Sequence, residues 1–147
     1  LGDVYQRQEL DIERTLVDEF LREVMQTSPK ATYGEGMIRS ALEQGAVSTL
    51  LLSESLTKRR VFWICKGCKL EWDSTQETRS EVPSCPECNS KNVGEDQERT
   101  MDLIDELSVL AGHTSAQVKL ISMDTEEGAT LSTAFGGIAA LLRYSIS

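Results

Sequence analysis

The sequence predicts an α/β layered sandwich interrupted by one small inserted module. Short apolar runs of strand type alternate with helical stripes along most of the chain, the rhythm of a sheet layered with helices. The rhythm breaks once, between residues 56 and 97, where four cysteines stand in two pairs. A length of 147 residues suits one modest domain plus an insert. The expected division is an N-terminal linker helix over 1–28, a sandwich domain over 29–55 and 98–147, and a four-cysteine minidomain over 56–97.

The first helix is expected from about Glu9 to Gln26. Leu10, Leu16, Val17, Phe20, Leu21, Val24 and Met25 share one face, and Glu13, Asp18, Glu19 and Arg22 lie largely off it. Ser28-Pro29 stops it. Thr32 and Glu35 have capping-box spacing for a second helix with Ile38, Ala41 and Leu42 buried, which Gly45 ends. Ala46 to Leu52 reads as a strand buried on both faces. After the insert, Met101, Leu103, Ile104, Leu107, Leu110 and Ala111 form a stripe ended by Gly112. Gln117 to Ile121 is a strand. Thr125 to Ala134 is a short helix with Glu126 and Glu127 well placed against its dipole, and Gly136-Gly137 ends it. Ile138 to Tyr144 is the last strand.

Cys65-Lys66-Gly67-Cys68 and Cys85-Pro86-Glu87-Cys88 are separated by sixteen residues, within the window of a tetrathiolate zinc site. Zinc takes four ligands at tetrahedral corners, and two tight turns can each aim two thiolates at one ion. Gly67 and Asn89 tolerate the positive φ such turns often need. Val61 to Ile64 lead into the first pair, and Leu70 and Trp72 leave it, so the module reads as a zinc ribbon. Two disulfides, or four unrelated buried thiols, are the competing readings. No secretory segment precedes the cysteines, and disulfides belong to oxidising compartments. Four cysteines close the coordination shell, which marks a structural Zn2+ rather than a catalytic one. His113, the only histidine, is expected at a solvent-facing helix end.

A formal net charge of −9 argues against wholesale wrapping of nucleic acid or of an anionic membrane. No run approaches the ~18 apolar residues of a membrane span, and a cytoplasmic location is expected. The first residue is Leu1 rather than Met, which suggests a fragment or processed chain. There is no G-x-S-x-G, H-E-x-x-H or P-loop. Gly34-Glu35-Gly36 lacks the preceding strand that a dinucleotide loop requires. Asp102, Asp105 and Glu106 read as a solvated helix face. The insert is locally basic at Lys58, Arg59, Arg60, Lys66 and Lys69. Such a cluster is either a solvated surface or a contact with ribosomal RNA or an acidic protein. Trp63 and Trp72 are expected to build the core of the module rather than to stack on bases.

Thr125-Glu126-Glu127-Gly128 and Phe135-Gly136-Gly137-Ile138-Ala139-Ala140-Leu141-Leu142-Arg143-Tyr144 resemble the C-terminal domain of the archaeal and eukaryotic class 1 peptide chain release factors. Tyr33-Gly34-Glu35 and Ala41 to Val47 resemble that domain's start. The resemblance runs from about Asp3 to Ser145, and a cysteine insert at this position resembles the archaeal members. It implies an α/β/α sandwich like that of kink-turn-binding ribosomal proteins. It also implies docking of a translational GTPase of elongation factor 1 alpha type, and of the ribosome-recycling ABC ATPase. In the family the full-length factor reads stop codons and promotes peptidyl-tRNA hydrolysis through a Gly-Gly-Gln loop. Neither that triplet nor the Asn-Ile-Lys-Ser stop-codon motif occurs here, so a catalytically silent domain is implied. The family's GTPase-binding motif, Gly-Ile-Leu-Arg-Tyr, matches Ala140, Leu141, Leu142, Arg143 and Tyr144, with the first two positions changed. Strand alternation would split these five between core and surface, and Arg143 and Tyr144 are the better contact candidates. Two rival readings are the C-terminal domain of a pelota-type ribosome rescue factor and a free-standing kink-turn-type RNA-binding module. Phe135-Gly136-Gly137, Tyr144 and the cysteines favour the release factor over the first. The net charge weighs against the second.

Overall fold

The structure is a computed structural model that describes residues 2–77 and 81–145. Leu1, residues 78–80 and the last two residues, which the expected ranges include, lie outside the described residues. The chain forms two compact units, one of residues 1–56 and 108–147, the other Thr57–Leu107.

The first unit is built on a four-stranded sheet. Its strands are β1 (Ala31–Tyr33), β2 (Val47–Ser53), β7 (Gln117–Ile121) and β8 (Ile138–Leu142), in the order β1-β8-β2-β7. β2 and β7 are parallel, and β8 runs antiparallel to both β1 and β2. Around the sheet lie α1 (Gly2–Val24), α2 (Glu35–Glu43), the end of α3 (Leu103–His113) and α4 (Glu126–Phe135). The second unit holds β3 (Arg59–Cys65), β4 (Glu71–Gln76), β5 (Val93–Glu95) and β6 (Met101–Asp102).

One face of the first sheet packs against α1 and α4. Val17 and Phe20 of α1 and Leu131 of α4 form one buried cluster with Ala31, Leu51, Ile121, Ala139 and Leu141. Phe135 meets Phe20 and Tyr33 edge-to-face, each with ring centroids 5.0 Å apart. Each large side chain removed from water here is worth about 2 kcal/mol, so α1 is an integral layer of the sandwich. This corrects the expectation of a linker helix over 1–28. Alternation turns Leu50, Leu52, Ala140 and Leu142 to the opposite face, where α2, packed on β8, buries Ile38, Ala41 and Leu42. Ser48 sits at the bulge in the β2–β8 ladder and donates its hydroxyl to the Leu141 carbonyl at 3.0 Å.

Several local expectations change once the strands pair. The Gly34 N–H donates to the Ile138 carbonyl at 3.0 Å. The chain is therefore still in the sheet at Thr32, and α2 starts at Gly34 with no side-chain cap. Glu35 pairs with Arg39 one turn on, at 3.0 Å, instead of closing a capping box with Thr32. α3 continues through Gly112, and its exit turn is made at Ser115, with φ 59°. β8 ends at Leu142, two residues before the expected end.

Glu13, expected off the buried face of the first helix, is only 8% exposed. Its carboxylate accepts the Ser122 N–H at 3.1 Å, and Glu54 accepts the Met123 N–H at 3.5 Å. Two carboxylates thus hold the turn from β7 into α4. Burial pushes the Glu13 carboxyl above its usual 4.5; the Ser122 hydrogen bond opposes this, and the charges of Glu54, Glu9 and Asp124 reinforce it. The same turn explains Thr125-Glu126-Glu127-Gly128. Thr125 caps α4 by accepting the Gly128 N–H at 2.9 Å. A Cβ on Gly128 would lie 1.9 Å from the Ser122 carbonyl oxygen. At the other end of α4, Gly136 takes the left-handed conformation with φ 71° and donates to the Leu131 carbonyl, as a helix-ending glycine does.

Two stability outcomes are expected. Gly128→Ala destabilises the first unit by about 3 kcal/mol, because overpacking here is against backbone. Urea unfolding measures it, and a change within about 0.5 kcal/mol contradicts the steric reading. Glu13 has a raised folded-state pKa, so its contribution is full below 4.5 and is lost as pH rises through the folded value. Glu13→Gln keeps an acceptor for Ser122 and removes this loss. The variant should gain on wild type between pH 4 and pH 7, and a stability gap that stays constant over that range contradicts it.

Candidate docking site and candidate metal centre

The two groups of residues singled out from the sequence lie one in each unit, and each is described by itself. In the second unit, β3 is the central strand. It pairs antiparallel with β4 from Arg59 to Ile64, with β5 at its end and with β6 at its start. Trp63 and Trp72 face each other across β3 and β4. Trp63 is buried, 6% exposed, and its indole N–H donates to Ser74 at 2.9 Å, so it belongs to the core of the module. Val93 to Glu95 forms β5, which completes the ladder beside Trp63, Ile64 and Cys65.

The two cysteine turns have one hydrogen-bond pattern. Cys65 N–H donates to the Leu70 carbonyl at 2.8 Å, and the Lys69 N–H returns to the Cys65 carbonyl at 2.9 Å. Cys85 N–H donates to the Ser90 carbonyl at 2.9 Å, and the Asn89 N–H returns to the Cys85 carbonyl at 3.0 Å. Positive φ falls on the residue after each second cysteine, 67° at Lys69 and 59° at Asn89. Gly67 is not among the positive-φ residues, contrary to expectation; the turn closes two residues later, at Lys69.

All four Sγ atoms lie within 4.8 Å of one another. Cys65 and Cys88, and Cys68 and Cys85, approach to 3.6 Å across the two turns. A tetrahedron of sulfurs about 2.3 Å from zinc has edges of about 3.8 Å, so the donor set fits that ion in both spacing and chemistry. The Cys68 N–H reaches Cys65 Sγ at 3.4 Å. Against the cost of burial, and helped by the Gly67 N–H and the Cys88 and Cys68 thiols, it draws the Cys65 thiol from 9.0 to about 6. Cys68 is pushed up to about 12: the Leu70 N–H favours its thiolate, but the Cys85 thiol, burial and the remaining two thiols outweigh it. The Cys65 thiol is thus drawn toward its thiolate, while Cys68 and Cys88 are raised by the thiols crowded beside them.

The basic run is largely neutralised within the module. Lys58 lies 4.0 Å from Glu77, Arg59 lies 3.5 Å from Glu95, and Arg60 binds Asp73 and Thr75. Lys66 and Lys69 are exposed on the first cysteine turn.

In the first unit, β8 has partners on both sides and cover on both faces. Ala140, Leu141 and Leu142 are consequently all buried, at 0, 6 and 6% exposure, so the division of the motif between core and surface falls at the end of the strand rather than alternating along it. Arg143 and Tyr144 follow the strand and are exposed. The Arg143 guanidinium donates to the Thr114 carbonyl at 2.8 Å and the Gly45 carbonyl at 3.3 Å. Tyr144 donates its hydroxyl to the Gln44 carbonyl at 3.2 Å. Gln44 and Gly45 end α2, and Thr114 follows α3. Sequence reasoning gave these three residues no part in the site, since their role lies in backbone carbonyls 29 to 100 positions away from the side chains that bind them.

These features define a mixed α/β domain interrupted by a four-cysteine β-module, with its terminal motif buried except for the last two residues. A family model described as eRF1 domain 3 matches residues 10–146. Peptide chain release factor subunit 1 of Thermococcus sibiricus is 39% identical over 151 residues, covering 99% of this chain and 36% of that protein. Among solved structures, the C-terminal domain of a peptide chain release factor from Methanosarcina mazei superposes with a TM-score of 0.85 at 38% identity, over 97% of this chain and 88% of that one. A model of ribosome-bound archaeal Pelota and ABCE1 matches with a TM-score of 0.58 at 25% identity, over 99% of this chain and 29% of that one. The chain belongs to the eRF1 domain 3 family and matches the C-terminal domain of archaeal peptide chain release factors. It spans about a third of the length of the curated relatives it matches. Among the described residues, no helix is long and apolar enough to cross a membrane.

Proposed function

We propose that this domain is the docking end of a class 1 release factor, joining stop-codon recognition to a translational GTPase of elongation factor 1 alpha type. The observation that carries this reading is the end of β8. On a strand otherwise sealed from solvent, Arg143 and Tyr144 alone of the five motif residues are exposed, with Tyr144 47% accessible. Tyrosine and arginine are the residue types that dominate interface energetics. Ala140, Leu141 and Leu142 act by packing the strand that delivers them. Peptide release belongs to the parts of the factor beyond this chain, because the Gly-Gly-Gln triplet is absent here. The neighbour solved as ribosome-bound archaeal Pelota with ABCE1 supports a second role, contact with the recycling ABC ATPase on the ribosome. The 38% identity to the Methanosarcina mazei release-factor domain, against 25% to the ribosome-bound Pelota, favours termination over rescue. The net charge of −9 speaks against a kink-turn RNA module. Contact of the module with ribosomal RNA would fall to Lys66 and Lys69, since Lys58, Arg59 and Arg60 face acids.

We assign a structural Zn2+ to Cys65, Cys68, Cys85 and Cys88, making the module a zinc ribbon. Bound there, the ion neutralises the crowded thiolates and ties the two turns together; the four cysteines leave it no open position for substrate.

Calorimetric titration with the GTP-loaded GTPase checks the docking reading. Tyr144→Ala should weaken binding about tenfold or more, while Leu120→Ala, an exposed change on β7, leaves it unchanged. Absence of wild-type binding, or equal affinity of the Tyr144 variant, overturns it. For the metal, protein purified under reducing conditions should carry one zinc per chain, and a strong chelator should release it with a change in Trp63 emission. Clearly substoichiometric metal overturns the assignment.

A further inference from the structure

The topology brings three chain segments to one end of the first sheet. β2 and β7 are parallel and begin side by side, with Thr49 opposite Gln117. The helices that precede them, α2 and α3, therefore both finish at that end. β8 is antiparallel to β2, with Leu142 opposite Val47, so its exit arrives at the same place. Helix C-termini leave carbonyl groups unpaired and carry partial negative charge. Here two such ends adjoin, and the first residue after β8 is an arginine.

Arg143 is held there from three directions. Its backbone N–H donates to the Ala46 carbonyl at 2.7 Å, and its guanidinium takes the Gly45 and Thr114 carbonyls, one past each helix. Two of its planar donors are thus occupied by the chain itself. A planar fork presents its donors in fixed, separated directions, whereas an ammonium is a compact point charge on a flexible stem. The next residue uses the same turn: the Tyr144 hydroxyl rests on the Gln44 carbonyl, immediately before Gly45. The arginine and the tyrosine are therefore coupled through the Gln44–Ala46 turn.

We propose that Arg143 is a positioning residue for docking: it clamps the ends of α2 and α3 and thereby fixes Tyr144, the residue that meets the partner. This rests on the docking reading above and refines it, since that reading alone makes both side chains direct contacts. Lysine should be a poor substitute, because it keeps the charge near the helix ends but lacks the fixed fork that holds both carbonyls.

Two measurements test it. The first needs no partner. In Arg143→Ala, amide hydrogen exchange should quicken at Gln44–Ala46 and at Thr114–Ala116 together, by about tenfold, with Arg143→Lys intermediate and the β3–β4 hairpin unchanged. Unchanged exchange in both turns, or a change in one only, overturns the clamp. The second is a double-mutant cycle in partner affinity. If Arg143 acts through Tyr144, Arg143→Ala with Tyr144→Ala should bind no worse than Tyr144→Ala alone, about tenfold below wild type. Independent contacts would multiply to about a hundredfold, and that result overturns the positioning role. Should wild type not bind the GTPase at all, the docking reading fails and with it the role of Arg143 in docking, while the exchange experiment still decides the clamp.

Discussion

β8 has neither a free edge nor a free face, and the first unit is arranged around that fact. It is hydrogen-bonded to β1 on one side and β2 on the other. Ala139 and Leu141 face the α1–α4 cluster, and Ala140 and Leu142 face the α2 side. Small residues at Ala139 and Ala140 let helices approach from both faces. The strand therefore serves as the spine of the fold, and any contact it makes with another molecule is confined to the residues after it. The same confinement sends Arg143 and Tyr144 into the junction of two helix ends rather than freely into solvent.

The segments that identify the family are first of all devices of the fold. Thr125 and Gly128 form a helix cap pressed against the Ser122 carbonyl. Gly136 and Gly137 turn α4 back into the sheet, and Gly137 accepts the Ser53 N–H at 2.8 Å. Phe135 stacks edge-on between Phe20 and Tyr33. Each constraint concerns backbone geometry or packing, which explains why so distinctive a run is largely withdrawn from solvent.

The cysteine module follows a different economy. Its sheet is short and narrow, and a few buried side chains such as Val61 and Trp63 supply its apolar core. Small modules of this kind depend on crosslinks. The two turns are matched in hydrogen bonding, and their sulfurs sit at distances suited to one ion. The basic residues at the start of β3 are answered by Asp73 on β4, Glu77 just after it and Glu95 on β5, a composition suited to a self-contained module.

Much of this was legible in the chain by itself. Periodicity located β2, β7, α4 and the buried stripe of α2, because burial on a regular element repeats with the period of that element. Cysteine spacing located the four thiols, because two residues between them is a property of one local turn. The family resemblance rested on contiguous runs for the same reason. Other features depended on residues far apart in sequence. Glu13 is buried because Ser122, 109 positions on, offers it an N–H. Thr32 is a strand residue rather than a helix cap because Ala140 pairs with it. α1 is a layer of the core because Val17 and Phe20 find Leu131 and Leu141. Arg143 looked like a surface contact in its strand context, and only the meeting of α2, α3 and β8 made it a clamp. Local pattern sets which elements form; which polar groups they must satisfy is decided only when the elements are brought together.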